Sequence, residues 1–350
     1  MGKSARPPLH YPLDAHKNSP FISIAIQKLN KLPFLKLYYF IATFTLLPLR
    51  LCIFITAVIP LAFCAILATV GLKDKNPSHP QIVGWRKVLK NISWMLYRVV
   101  LFSYGVYSIK SKGKRTSTKN APIFVVAPHT SIFFDMAPIY LNGGHPVASA
   151  HLLKVPVVGM LARLLDPVFL DRYDANSRKL AMNVVKERAK HAYLYRWKQV
   201  LFFPEGLCSN GDAFASFKAG AFVPGLPIQP ITLKIKRHYQ LNLTSWTHTG
   251  GQDMLCNYFQ FCKPMQEIEV HYLDPYYPSE EEQNDPELFA YNVQRKMADY
   301  RKIPANDYSL HDANCVCRAV CRNRFKHEVG MIGIEGLAWR HGSRTAYSWV

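Results

Sequence analysis

Between residues 37 and 72 the chain is almost wholly apolar, broken only by Pro48, Arg50 and Pro60. Its second part, residues 51–72, runs 22 residues without a charge. That is enough to cross a hydrocarbon core of about 30 Å. The run begins too late and continues too long for a signal peptide, and its length argues against a buried core helix. Two geometries are compatible with it: one spanning helix, or a hairpin that turns at residues 48–50. Lys28, Lys31 and Lys36 precede the run, and Lys73, Lys75, Arg86 and Lys87 follow it. This balance weakens the orientation signal from charge bias and slightly favours a hairpin with both ends on the cytosolic side. A second apolar stretch, residues 94–109, carries Arg98 and several aromatics and reads as an interfacial helix or a helix packed on the domain.

Beyond a polar, lysine-rich linker at 111–120 the pattern changes. Short apolar runs at 123–127, 167–170, 200–203, 228–235 and 268–273 read as strands. Leu180, Val184, Val185, Ala189 and Ala192 recur at helical spacing between the second and third. Strands separated by helical stretches predict an α/β domain, a mostly parallel sheet flanked by helices, with an N-terminal membrane helix or hairpin. The expected organisation is a basic arm (1–36), a membrane segment (37–72), an interfacial helical region (73–110), a catalytic domain (111–303) and a tail (304–350) without regular pattern.

The 43 Lys and Arg exceed the 23 Asp and Glu by 20 charges, and a surface this basic seeks a polyanion. No zinc-finger, RNP or helix-turn-helix signature accompanies the charge, which argues against nucleic acid and for an anionic membrane or phosphorylated metabolites. The eight cysteines, at 52, 64, 208, 256, 262, 315, 317 and 321, fit no secreted disulfide framework and read as reduced thiols. The spacing of Cys315, Cys317, Cys321 and His327 matches no standard zinc site.

Three polar clusters follow three of the strand candidates, where open α/β sheets gather ligands. The first runs from Pro128 through His129 to Asp135, an imidazole that can take a proton and a carboxylate that can fix its tautomer. The second ends in Asp171 and Arg172, whose guanidinium suits a phosphate. The third is Phe203-Pro204-Glu205-Gly206-Leu207-Cys208, followed by Phe217-Lys218-Ala219-Gly220 and by Leu226-Pro227-Ile228-Gln229-Pro230. No G-x-S-x-G elbow is present, which disfavours a serine hydrolase.

In this order the four blocks resemble the motifs of the glycerolipid (1-acylglycerol-phosphate acyltransferase-like) family, and within it the lysophosphatidylcholine acyltransferase branch. The resemblance covers roughly residues 85–310. It implies that His129 and Asp135 are the catalytic pair, with Arg172, Glu205, Gly206 and Lys218 contacting substrate. Family members usually place four residues between His and Asp, whereas here there are five, Thr130 to Phe134. Pro128 and Cys208 stand where this branch carries those residues, and Gly211 replaces an arginine the branch often has. The implied reaction is direct acyl transfer from acyl-CoA, the co-substrate, to a lysophospholipid hydroxyl, without metal or other cofactor. Lysophosphatidic acid or glycerol-3-phosphate as acceptor is the alternative, and a catalytically inactive lipid-binding protein is the alternative of another class. The resemblance also implies the endoplasmic reticulum membrane, with lipid droplets as a second location, and a cytosol-facing catalytic domain.

Overall fold

The computed structural model describes residues 33–72, 80–154, 158–171, 174–191, 197–236 and 252–308. Most of the basic arm, Arg172 and the cysteine cluster of the tail lie outside the described residues. Among the described residues three helices come first: α1 (Pro33–Phe44), α2 (Leu46–Thr69) and α3 (Trp85–Ser103). The break in the apolar run falls at Thr45, not at the expected turn at 48–50. Pro48 is the third residue of α2, where its missing N–H has no intrahelical partner to lose, so it starts the helix without bending it. The hairpin is instead formed by α2 and α3. Arg86, at the start of α3, donates to the Val70 carbonyl just past the end of α2. At the other end Arg50 of α2 lies against Gly105, just past the end of α3.

The α2 helix is 24 residues long, about 36 Å at 1.5 Å per residue, and is apolar enough to cross a membrane. Yet it is fastened to the domain at both ends. Near its start Arg50, only 7% exposed, donates to the Phe261 carbonyl at 2.8 Å and to the Lys263 carbonyl. Those are orphan carbonyls at the end of α7 (Gln252–Cys262), which a cation caps favourably. Near its far end Ala65 and Ala68 pack on Ile82 and Leu164, and Arg163 donates to the Leu72 carbonyl. Replacing Arg50 with Met leaves two buried carbonyls unsatisfied and is expected to cost about 3 kcal/mol. A melting temperature unchanged from wild type, measured in detergent, would show that the clamp contributes nothing.

Among the described residues the sheet has seven strands: β1 (Val106–Lys112), β2 (Ile123–Ala127), β3 (His145–Ser149), β4 (Val168–Leu170), β5 (Val200–Phe202), β6 (Ile228–Ile235) and β7 (Gln266–Tyr272). Their order is β1-β7-β6-β2-β5-β3-β4. The five from β6 to β4 are parallel; β7 runs antiparallel to β6, and β1 pairs parallel with β7. The expected mostly parallel sheet is therefore present, with a reversed pair at one edge. β2 is buried along its whole length because both faces are covered, as expected for a central parallel strand. Ile123, Val125 and Ala127 meet α6 (Ala175–Lys190) and α9 (Pro286–Arg301) through Val185, Phe289 and Val293. Phe124 and Val126 meet α3, α4 (Ile132–Asn142) and α7 through Leu101, Phe134 and Phe261.

Two strands depart from expectation. Residues 94–109 divide at Gly105, whose φ of +79° ends α3 and starts β1. The interfacial region thus contains the sheet's first strand, and the linker at 111–120 begins inside it. β3 was not expected either; its sequence, His-Pro-Val-Ala-Ser, has neither alternation nor an apolar run. On α6 the buried face is Ala181, Val185 and Arg188, while Leu180 is 60% exposed and Ala192 lies outside the described residues.

Candidate active site

The strand order sets β2 beside β5, so the loops leaving their carboxyl ends face each other. His129 is two residues past β2 and Glu205 three past β5. The His129 ring nitrogen Nδ1 lies 2.6 Å from Asp135 Oδ2. Five intervening residues do not separate the pair, because helix α4 begins at Ile132 and brings Asp135 into its first turn. The amides of Phe134 and Asp135 both donate to the Ser131 carbonyl. The carboxylate then turns back over the loop and accepts the Thr130 N–H at 3.0 Å and its hydroxyl at 3.4 Å. Asp135 is buried, so these partners hold its charge in place of water.

The other loop grips the histidine from behind. Glu205, 1% exposed, accepts the His129 N–H at 3.2 Å and the Ser209 hydroxyl at 2.8 Å, both on Oε2. The Ser209 N–H donates to the His129 carbonyl at 2.7 Å. Burial pushes the Glu205 carboxyl up to about 7, and the bonds from Ser209 and His129 oppose that rise. Glu205 thereby fastens its loop to the histidine through Oε2. Phe203 stacks on the imidazole, centroids 4.7 Å apart and planes 26° apart. Cys208 completes the surroundings, its Sγ 3.8 Å from His129 Nε2. Burial alone would lower the imidazole pKa, but Cys208 and the Asp135 carboxylate hold it well above the ordinary histidine range.

Gly206 has φ +66°, which L side chains adopt only under strain, and its N–H closes a turn onto the Phe203 carbonyl. The Lys218 side chain lies over it, so that a Cβ at Gly206 would sit 2.9 Å from Nζ. Exposed Lys218 is thus brought to the Glu205-Gly206 turn, its N–H bonded to the Pro204 carbonyl. The fourth block behaves differently. Gln229 is fully buried; it donates to the Lys114 and Leu273 carbonyls and accepts the Thr116 N–H, fastening strands rather than meeting the site.

His129, Asp135, Glu205, Gly206 and Lys218 thus converge, while Arg172 lies outside the described residues. Thr130, Phe203, Cys208 and Ser209 touch the dyad or its loops without having been singled out for those contacts. The Thr130 contacts are local to the loop after β2, whereas those of Phe203, Cys208 and Ser209 arise from the pairing of β2 and β5. The ring nitrogens, carboxylate and sulfur lie within 4.8 Å of one another. Asp135 and Cys208 address opposite nitrogens of the ring.

Residues 108–234 match the acyltransferase domain family. The chain is 35% identical over 271 residues to lysophosphatidylcholine acyltransferase 1 of Mus musculus, covering 77% of this chain and 49% of that protein. It is 35% identical over 332 residues to lysophosphatidylcholine acyltransferase 1 of Danio rerio, covering 92% and 62%. With lysophosphatidylcholine acyltransferase 2B of Rattus norvegicus it shares 35% over 288 residues, covering 82% and 54%. The chain spans about half the length of most of the curated relatives it matches.

Proposed function

We propose that this chain, whose residues 108–234 match the acyltransferase domain family, moves an acyl group from acyl-CoA to the free hydroxyl of a lysophospholipid, lysophosphatidylcholine first among them. The observation that carries this reading is the 2.6 Å contact between His129 and Asp135 at the end of a buried parallel strand. His129 Nε2 takes the acceptor's hydroxyl proton as its oxygen attacks the thioester carbonyl. Asp135 fixes the tautomer and steadies the imidazolium that forms. The tetrahedral oxyanion is assigned to backbone amides near the Glu205–Gly206 turn other than the Gly206 N–H, which is bonded to Phe203, and phosphate contact to Lys218 and, by the family motif, Arg172. No metal or further cofactor has a role in these steps.

Membrane association is supported by α2 and by the apolar side chains that α1, α2 and α3 leave exposed, among them Phe40, Ile59, Phe63 and Met95. A helix fastened to its domain at both ends suits insertion along the surface of one leaflet better than a span across two. The reading places the protein in the endoplasmic reticulum membrane, with lipid droplets as a second site. Its catalytic face is turned to the cytosol, where acyl-CoA is found. The test is a membrane-fraction assay with radiolabelled acyl-CoA and a panel of acceptors. Label is expected in phosphatidylcholine when lysophosphatidylcholine is supplied. Transfer confined to lysophosphatidic acid or glycerol-3-phosphate would move the assignment to that acceptor, and transfer to none would overturn it.

A further inference from the structure

We propose that the basic cavity between the far end of β6 and the end of α9 seats the nucleotide phosphates of acyl-CoA, with Lys234 and Arg301 as their cationic partners. The proposal rests on the reading of the site as an acyltransferase and says where its donor is held. The cavity has a volume of about 520 Å³, within the range of about 300–1,000 Å³ of small-molecule sites. Pro128 and Thr130, the neighbours of His129 on either side, form one part of its wall. Lys234, Lys236 and Arg301 form another, against a single carboxylate among the described lining residues, Asp212.

The strand register makes this space. β2 and β6 run side by side as far as the pair Ala127–Thr232, and there β2 ends. β6 continues to Ile235, about 10 Å further. Its edge therefore loses a neighbour at the level where the chain turns off into His129. Side chains alternate along a strand. Leu233 belongs to the cluster that α3 covers, so Lys234 and Lys236 stand on the opposite face. That is the face where Ile228 meets Phe289 and Val293 of α9, and Arg301 is the last residue of that helix. Cations from two elements thus gather beside the loop that carries the dyad.

Their charge is in surplus. Glu267 is shared by Lys110 at 2.5 Å and Lys236 at 2.6 Å. Glu269, directly across from Lys234 on β7, is engaged by Lys112 at 3.1 Å and His271 at 3.0 Å. Among the described residues Lys234 forms no ion pair, and it is exposed. A concave site with this balance attracts an anion. Both proposed substrates carry phosphate, and two observations favour the donor. Lysophosphatidylcholine couples its phosphate to a quaternary ammonium, which these cations repel. The apolar helices also lie elsewhere: Leu47 and Phe54 of α2 and Trp94 of α3 pack on the other face of the sheet. Lys234 and Arg301 therefore stand on the side where a water-soluble molecule arrives. The diphosphate and 3′-phosphate of CoA are wholly anionic. Its pantetheine arm lets the thioester reach His129 while the phosphates stay against the basic wall.

The deciding measurement is calorimetric binding of CoA, without acyl group or acceptor, to the purified full-length protein in mixed micelles. Lys234→Gln and Arg301→Gln are each expected to raise the Kd for CoA about tenfold. Lys234→Arg, which keeps the charge, should bind nearly as wild type does. In turnover, the preference for acyl-CoA over acyl-pantetheine, a donor without the nucleotide phosphates, should fall about tenfold in Lys234→Gln. Equal CoA affinity in wild type and both Gln variants would overturn the site and leave the acyltransferase reading standing. A rise confined to the KM for lysophosphatidylcholine would give the cations to the acceptor's phosphate and would overturn it too. Weakened CoA binding by the variants of a protein that acylates no lysophospholipid would support the site and overturn the acceptor assignment.

Discussion

His129→Ala is expected to lower acyl transfer by about a thousandfold, the middle of the range for a lost general base. The protein should still fold and still sediment with membranes. The structural reason for this separation is that the chain around His129 is held by its backbone. Glu205 accepts its N–H and Ser209 donates to its carbonyl, and alanine keeps both groups. What is lost is a ring stacked on Phe203 and one partner of the buried Asp135 carboxylate, with a stability cost of about 1–3 kcal/mol. The check is turnover of purified variant and wild type alongside their melting temperatures. Near-normal turnover by the variant would remove His129 from the chemistry.

Asp135→Asn is expected to be nearly as severe, lowering turnover by up to about 10⁴-fold, because an amide can hold the imidazole in the wrong tautomer. It also predicts a change in pH dependence whose sign is fixed. A base acts only when unprotonated, so turnover should fall as pH drops through the His129 pKa. Cys208 and Asp135 place that pKa well above the ordinary value near 6.5 despite the opposing burial. Removing the carboxylate lowers it, so the acid limb of the residual activity should move to lower pH. Stability follows the same linkage. A histidine whose folded pKa is raised adds stability that is full below the unfolded pKa and fades as pH rises through the folded one. The melting difference between wild type and Asp135→Asn should therefore be larger at pH 5 than at pH 9. An acid limb that does not move would assign the raised pKa to other neighbours.

The sequence disclosed the parts of this molecule that are written locally. β2 and β6 were bounded correctly because buried central strands are unbroken apolar runs. His129 and Asp135 could be paired from spacing once a helix start was allowed between them. Arg50 was misread for the opposite reason. In an apolar helix it signals a cost that a membrane turn could relieve, yet here the carbonyls of Phe261 and Lys263, more than two hundred residues later, relieve it. β1 was hidden because helix and strand abut at Gly105 with no polar gap, and one apolar stretch covers both. The Cys208–His129 contact joins two loops brought together only when β5 takes its place beside β2.

The double fastening of α2 gives the protein something like the draught of a ship. Its depth in the lipid and the height of its active site above the waterline are one quantity, because no pliant stalk lies between Arg50 and the strand it helps to seat. A bilayer that thins, thickens or crowds beneath the helix pair does not bend a tether. On the placement in one leaflet proposed above, it lifts or lowers His129 bodily with respect to the glycerol backbone of the proposed acceptor. Turnover should then respond to the packing of the host membrane even when the concentrations of both substrates are unchanged.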